Sequence, residues 1–320
     1  MISTVLGGIS PAELGKTLMH EHVLFGYPGY QGDITCSPNF DREKMIAKTS
    51  ASLKQLREQY SLGALVDATP NDCGRDVKLL REVSEKSGVH IICSTGYYYE
   101  GDGATAYYKV RAALSCDVES EIAEMMKSEI TSGVGDTGIK PGVIKVASSK
   151  SMITPYEQSF FKAAGRVSAE TNVPIITHTQ EGSMGEEQAQ LLIENGADPK
   201  KIMIGHIEGN TDLQYYLNIL SKGVSIGFDR ISLEGFAGTP KDQLRLALIG
   251  SLVNLGYVNQ IMLSHDFVFN WYGKSLPLPQ KWGWHQIFSE FCPQLSAFGV
   301  TNEDIITMML ENPKKILDAS

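Results

Sequence analysis

Cysteine is sparse in this sequence and badly placed for cross-linking. The five residues, Cys36, Cys73, Cys93, Cys116 and Cys292, are scattered, and none forms a CxxC pair. That argues against a disulfide framework and a cysteine-based zinc site, and points to a reducing compartment. Long hydrophobic runs are missing too. None approaches the ~20 apolar residues of a membrane helix. The start of the chain, MISTVLGGISPAELGK, lacks the basic residues and apolar stretch of a signal peptide. There is no polybasic tract, and the formal net charge is −9. A nucleic-acid partner, which needs a basic face for its phosphates, is therefore not expected. No Pro/Ser-rich linker divides the chain. These absences leave an acidic, soluble, cytoplasmic protein as the expectation.

What is present is an ordinary globular composition, 42% hydrophobic and 20% charged over 320 residues, enough for one large core. A prior of roughly 150 residues per domain would suggest two domains, but α/β barrels reach ~250 residues or more as one unit. Eight short apolar runs recur, at 16–22, 63–69, 90–98, 142–148, 173–179, 201–207, 224–229 and 260–266. Continuous short apolar runs suit parallel strands buried on both faces. Amphipathic stretches fall between them. Residues 43–59 place Met45, Ile46, Leu53 and Leu56 near one face, and residues 75–86 do the same with Val77, Leu80 and Val83 before a Gly88 C-cap. Thr154-Pro155-Tyr156-Glu157 carries a capping box, Thr301 with Asp304 resembles another, and Asn312-Pro313 breaks the last helix. Eightfold alternation predicts an α/β fold, a (β/α)₈ TIM barrel in a single domain over 1–320. No GxGxxG follows the first strand, so a dinucleotide fold has no support. Two connections are long, about 23–41 and 267–284, and both lie at the mouth where barrel active sites form.

Four of the seven histidines, His20, His22, His178 and His206, stand at or near C-terminal strand ends, and Asp266 ends the eighth strand. Those ends converge on one mouth. His20 and His22 are two apart on a strand, so their side chains point the same way and can share an ion. Any one of these histidines alone reads equally well as a core residue bonded to a carbonyl; the set reads as a metal site. His90 is at the opposite mouth, His265 points outward if Asp266 points in, and His285 lies at a helix start, so none is assigned to metal. Lys145 sits in an otherwise apolar strand, where an ammonium is costly and its pKa falls. Three readings stand: a carbamate formed with CO₂, a lysine paired with a carboxylate, or a neutral catalytic lysine.

Leu18-Met19-His20-Glu21-His22, Gly142-Val143-Ile144-Lys145, Ile176-Thr177-His178, Ile204-Gly205-His206 and Ser264-His265-Asp266 resemble the phosphotriesterase family of the amidohydrolase superfamily, from Leu6 to about Leu317. Gly74-Arg75-Asp76, Thr95-Gly96-Tyr97-Tyr98 and Gly227-Phe228-Asp229-Arg230 resemble its phosphotriesterase-like lactonases. The resemblance implies two divalent ions, zinc first, with cobalt, manganese or iron as alternatives. His20, His22 and Asp266 would hold the more buried ion, and His178 and His206 the more exposed one. Lys145, as N6-carboxylysine, would bridge them together with a hydroxide. It implies a lactonase opening acyl-homoserine lactones or simple γ/δ-lactones by attack of that hydroxide, with phosphotriesterase activity on the side. Asp266 would shuttle the proton, Tyr98 would help polarise the carbonyl, and Arg230 would orient substrate or else form an ion pair with Asp229 or another acid. Either Tyr98 or both of its neighbours Tyr97 and Tyr99 should face the site. Phe267, Trp271 and Tyr272 would form an apolar wall or else pack the loop on the rim. The alternatives are a phosphorylated sugar lactone, for which Arg230, Lys274 and Lys281 are the available cations, an organophosphate triester, and a non-catalytic binding member, which loss of a ligand would mark; none is lost. The resemblance also implies a homodimer. The loops at 23–40 and after Asp266 depart from the lactonases, which leaves the substrate open.

Overall fold

Burial on both faces explains why the strand runs are apolar from end to end. In a computed structural model, which describes residues 1–33, 35, 40–236, 238–277 and 282–319, the eight runs form β3 (Lys16–Phe25), β4 (Leu62–Asp67), β5 (His90–Gly96), β6 (Val143–Ser148), β7 (Ile175–Thr179), β8 (Ile202–Ile204), β9 (Ser225–Phe228) and β10 (Ile261–Leu263). They pair in parallel in sequence order. The curled sheet closes where β10 meets β3: the Asp266 N–H donates to the His20 carbonyl at 3.0 Å, and the Ser264 hydroxyl accepts the His20 N–H at 2.9 Å. The protein is a (β/α)₈ barrel.

One set of strand side chains fills the barrel, among them Met19, Val66, Ile92, Ile176, Met203 and Met262. The other set packs against the helices α1 (Arg42–Tyr60), α2 (Val77–Ser87), α3 (Ala106–Ala113), α4 (Val118–Ser132), α5 (Pro155–Thr171), α6 (Gly185–Glu194), α7 (Leu213–Leu220) and α8 (Asp242–Asn254). Caps bound these helices as the sequence predicts. Gly88 ends α2 with φ +69°, and Thr154 with Glu157 makes a reciprocal capping box at α5. A hairpin of β1 (Ile2–Thr4) and β2 (Gly7–Ile9) lies at the N-terminal mouth, where Ile2, Leu14, Ile316 and Leu317 join the interior cluster. The opposite mouth is left for a site. No helix of the described residues is long and apolar enough to cross a membrane.

Two expectations change. The last helix is not broken at Asn312-Pro313: a π-helical turn, Thr307–Glu311, runs into a further helix, Asn312–Leu317. Pro313 falls in that first turn, where its missing N–H costs nothing. The long connection after Asp266 holds another strand, β11 (Val268–Trp271), parallel to β3 with Val268 opposite His22 and Trp271 opposite Phe25. Cys36 and Lys281 lie outside the described residues.

Candidate metal centre

The C-terminal strand ends bring His20, His22, Lys145, His178, His206 and Asp266 together. His20, His206 and Asp266 offer ligand atoms that all lie within 4.8 Å of one another. Around them, Lys145 Nζ is 2.7 Å from His20 Nε2, and His22 Nε2 is 3.1 Å from Asp266 Oδ1. The His178 ring stands 4.7 Å from that of His206, centroid to centroid.

The far side of each imidazole decides which nitrogen is free. Asp229 accepts the His20 Nδ1–H at 2.9 Å on one oxygen and the His206 Nδ1–H at 2.8 Å on the other. The His22 Nδ1–H goes to Thr69 Oγ1 at 2.8 Å, whose own hydroxyl donates to the Leu24 carbonyl. In all three the Nε2 lone pair faces the shared space. His178 is reversed: Nε2–H donates to Gln180 Oε1 at 2.8 Å, which leaves Nδ1. Such partners orient ligating histidines and raise their basicity.

Electrostatics agree with a ligand role. Burial, followed by the Lys145 charge, lowers the pKa of His20; burial, followed by Arg230, takes His178 and His206 well below the ordinary histidine range. Neutral imidazole is the form that binds metal. Burial brings Lys145 down to about 8. Burial opposes ionisation of Asp266, but the positive charge beside it, with the Arg230 guanidinium hydrogen-bonded to Oδ2, outweighs burial and holds its carboxyl well below the usual range. Mixed nitrogen and oxygen donors of this kind fit zinc, cobalt, manganese or iron(II).

Above this cluster opens a cavity of about 260 Å³. Tyr98 lines it, and its ring centroid is 5.0 Å from that of His178. Tyr99 lines it as well, stacked on His178, whereas Tyr97 turns away to pack on Tyr108 and Phe160. Strict alternation does not hold there because β5 ends at Gly96, with φ +130°. Arg230 donates from Nε to Asp266 Oδ2 at 3.0 Å; its neighbour Asp229 is occupied by the histidines. Of the three aromatics expected as a wall, Trp271 lines the cavity. Phe267 and Tyr272 do not. Pairing of β11 with β3 turns Val268 to the cavity and Phe267 to the other side, against Trp282 and Trp284, while Tyr272 stacks on Tyr30 and Phe40. The wall also takes in Phe25, Tyr27, Leu233, Phe236, Leu276 and Trp282, with Asp102 beside them, none of which sequence periodicity singles out. Asp229 had a signal, an acid at a C-terminal strand end. Thr69 and Gln180 had none, because their role exists only once the strands are side by side.

A profile of the phosphotriesterase family matches residues 1–317. The aryldialkylphosphatase of Saccharolobus solfataricus is 32% identical, over 96% of both chains. The phospho-furanose lactonase of Mycoplasmopsis synoviae is 30% identical, over 98% of this chain and 90% of that one. The crystal structure of a mutant PTE-like lactonase from Deinococcus radiodurans superposes with a TM-score of 0.96 at 48% identity, covering 99% of this chain and 100% of that one.

Proposed function

We propose, for a chain that belongs to the phosphotriesterase family and is a metal-dependent hydrolase, that it opens lactones carrying an apolar tail. The ions would be two divalent cations, zinc first, held by His20, His22, His178, His206, Asp266 and Lys145. Bound there, they would supply a water acidic enough to attack at neutral pH and an electrophile for the acyl oxygen. Lys145 would serve as its carbamate. An amine with a pKa of about 8 is partly unprotonated at neutral pH, and that form adds to CO₂ with loss of one proton.

The chain's own groups carry the remaining work. Asp266 takes the proton of the attacking water and returns it to the ring oxygen as the acyl–oxygen bond breaks. Arg230 keeps that carboxylate turned into the site through its 3.0 Å hydrogen bond. Burial holds the Tyr98 phenol well above its ordinary pKa, so it stays a hydrogen-bond donor toward the substrate carbonyl. Phe25, Tyr27, Trp271 and Leu233 exclude water and cover the tail.

One observation carries the choice of substrate: the wall is aromatic and aliphatic, its one guanidinium is engaged by Asp266, and Asp102 adds an acid to it. A phosphate group would meet no suitable cation among the described lining residues. The aryldialkylphosphatase relative supports a second, weaker activity on neutral triesters, which the same apolar wall accepts. Ring opening releases a proton, so a pH indicator reports it directly. Metal-loaded protein should show its highest kcat/KM on alkyl-substituted γ/δ-lactones or acyl-homoserine lactones, with a paraoxon-like triester well below. A phosphorylated sugar lactone at the top of that panel would overturn the assignment.

A further inference from the structure

Glu21 separates the two histidines of the His20-Glu21-His22 run, and no step above uses it. It is fully buried. Alternation turns it away from the cavity, toward the segment that follows β10. Five hydrogen bonds converge on its carboxylate. Oε1 accepts from the Ser264 hydroxyl at 2.6 Å, the His265 N–H at 2.9 Å and His265 Nδ1–H at 3.0 Å. Oε2 accepts from the Phe267 N–H at 3.0 Å and the Trp284 indole N–H at 2.9 Å. The His265 proton is on Nδ1 because Nε2 accepts the Ile287 N–H at 3.1 Å.

These donors bracket Asp266. The amides before and after it are both on Glu21, one on each oxygen, and its own N–H is bonded to the His20 carbonyl at 3.0 Å. Asp266 itself has φ +55°. A non-glycine residue in the left-handed region persists where its surroundings over-determine it, and here a single carboxylate does much of that. The same group seats the following loop. Trp284 is bonded to it, and Trp282, whose indole N–H donates to the His265 carbonyl at 3.1 Å, lines the cavity.

We propose that Glu21 is a positioning residue for Asp266, holding the segment 264–267 from outside the barrel and tying the Asp266 carboxylate to the loop that walls the substrate. The proposal rests on the metal-dependent lactonase reading above. A glutamine here would present one acceptor oxygen and an NH₂ group that opposes the donors at the other end, so one side of Asp266 would be released. A residue that only stabilises the fold would lower the melting temperature and change nothing in molecules that remain folded.

The test compares wild type, Glu21→Gln and Trp284→Phe, loaded with cobalt(II) and kept well below their melting temperatures. The measurements are kcat and KM on the best lactone, the visible absorption of the bound cobalt, and the melting temperature of the metal-free protein. Glu21→Gln should lose about 10- to 100-fold in kcat with KM within roughly threefold, as expected when a group orienting a ligand is lost, and should change the cobalt absorption. Trp284→Phe removes one of the five donors and keeps an aromatic ring. It should shift the absorption the same way with a smaller loss of kcat. The proposal is overturned if the variants that fold keep kcat within twofold and the wild-type absorption, whether or not the melting temperature falls. If wild type itself binds no cobalt and opens no lactone, the functional reading fails first, and visibly so in the control.

Discussion

Asp229 uses both carboxylate oxygens on histidines, His20 through one and His206 through the other, and it also accepts the His206 amide N–H at 2.8 Å. Asparagine has nearly the same shape, but its NH₂ group would oppose one of the Nδ1–H groups. Asp229→Asn should weaken metal binding by about 10- to 100-fold, measured by competition with a chromogenic chelator; wild-type affinity would refute the role. Asp72 is a different kind of residue. Its Oδ1 accepts the Tyr98 N–H at 3.1 Å, while Oδ2 is buried with no partner among the described residues. Burial pushes its carboxyl up to about 7 from 3.8. Between those two values the folded state holds a proton that the unfolded chain has released, so stability falls as pH rises from about 4 to about 7. Asp72→Asn keeps the Tyr98 bond and escapes that loss. Its melting temperature should exceed that of wild type at pH above about 7 and converge on it below about 4; a constant difference across the range would show that the carboxyl is not responsible.

At the scale of elements, the eight strands and the capped helices were legible because short apolar runs and cap residues are local signals. What escaped were the places where a strand leaves its regular path. On β3 the register against β4 shifts between Leu18 and Glu21. A bulge of this sort re-aims side chains, and it lets Met19 fill the barrel while His20, the next residue, joins His206 and Asp266 in the candidate metal centre. The end of β5 at Gly96 is why Tyr98 and Tyr99 both reach the cavity, and β11 is why Phe267 does not. Gly205, between β8 and His206, shows how closely the elements approach. A Cβ there would stand 2.5 Å from the Thr177 carbonyl oxygen and 2.7 Å from Asp229 Oδ2. Gly205→Ala should cost about 1–3 kcal/mol as overpacking and push Asp229 off its histidines. Urea unfolding with a parallel metal titration checks both; an alanine variant equal to wild type in each would show that the contact yields without cost.

Across the whole molecule, the N-terminal mouth is filled by Ile2, Leu14, Ile316 and Leu317, while the opposite one collects four imidazoles, a lysine and an aspartate in largely buried space. Ions held there would tie β3, β6, β7 and the ends of β8 and β10 together and would bind the folded state alone, a stabilisation of ~2.7 kcal/mol at 100 times Kd. Chelation should therefore lower the melting temperature and abolish lactone opening together, and added zinc or cobalt should restore both. Loss of activity with an unmoved melting temperature would mean the ions do not span the strands. The sequence by itself determined the barrel and the chemical types of the side chains gathered at its mouth, because strand burial, helix caps and the position of a residue at a strand end are written in local periodicity. It also carried the family likeness in its motifs. Tertiary structure alone decided which nitrogen of each histidine is free, which aromatics face the cavity and what holds Asp266. Those depend on hydrogen bonds between residues up to 263 positions apart, as from Glu21 to Trp284, and no local pattern encodes a partner that only chain closure brings near.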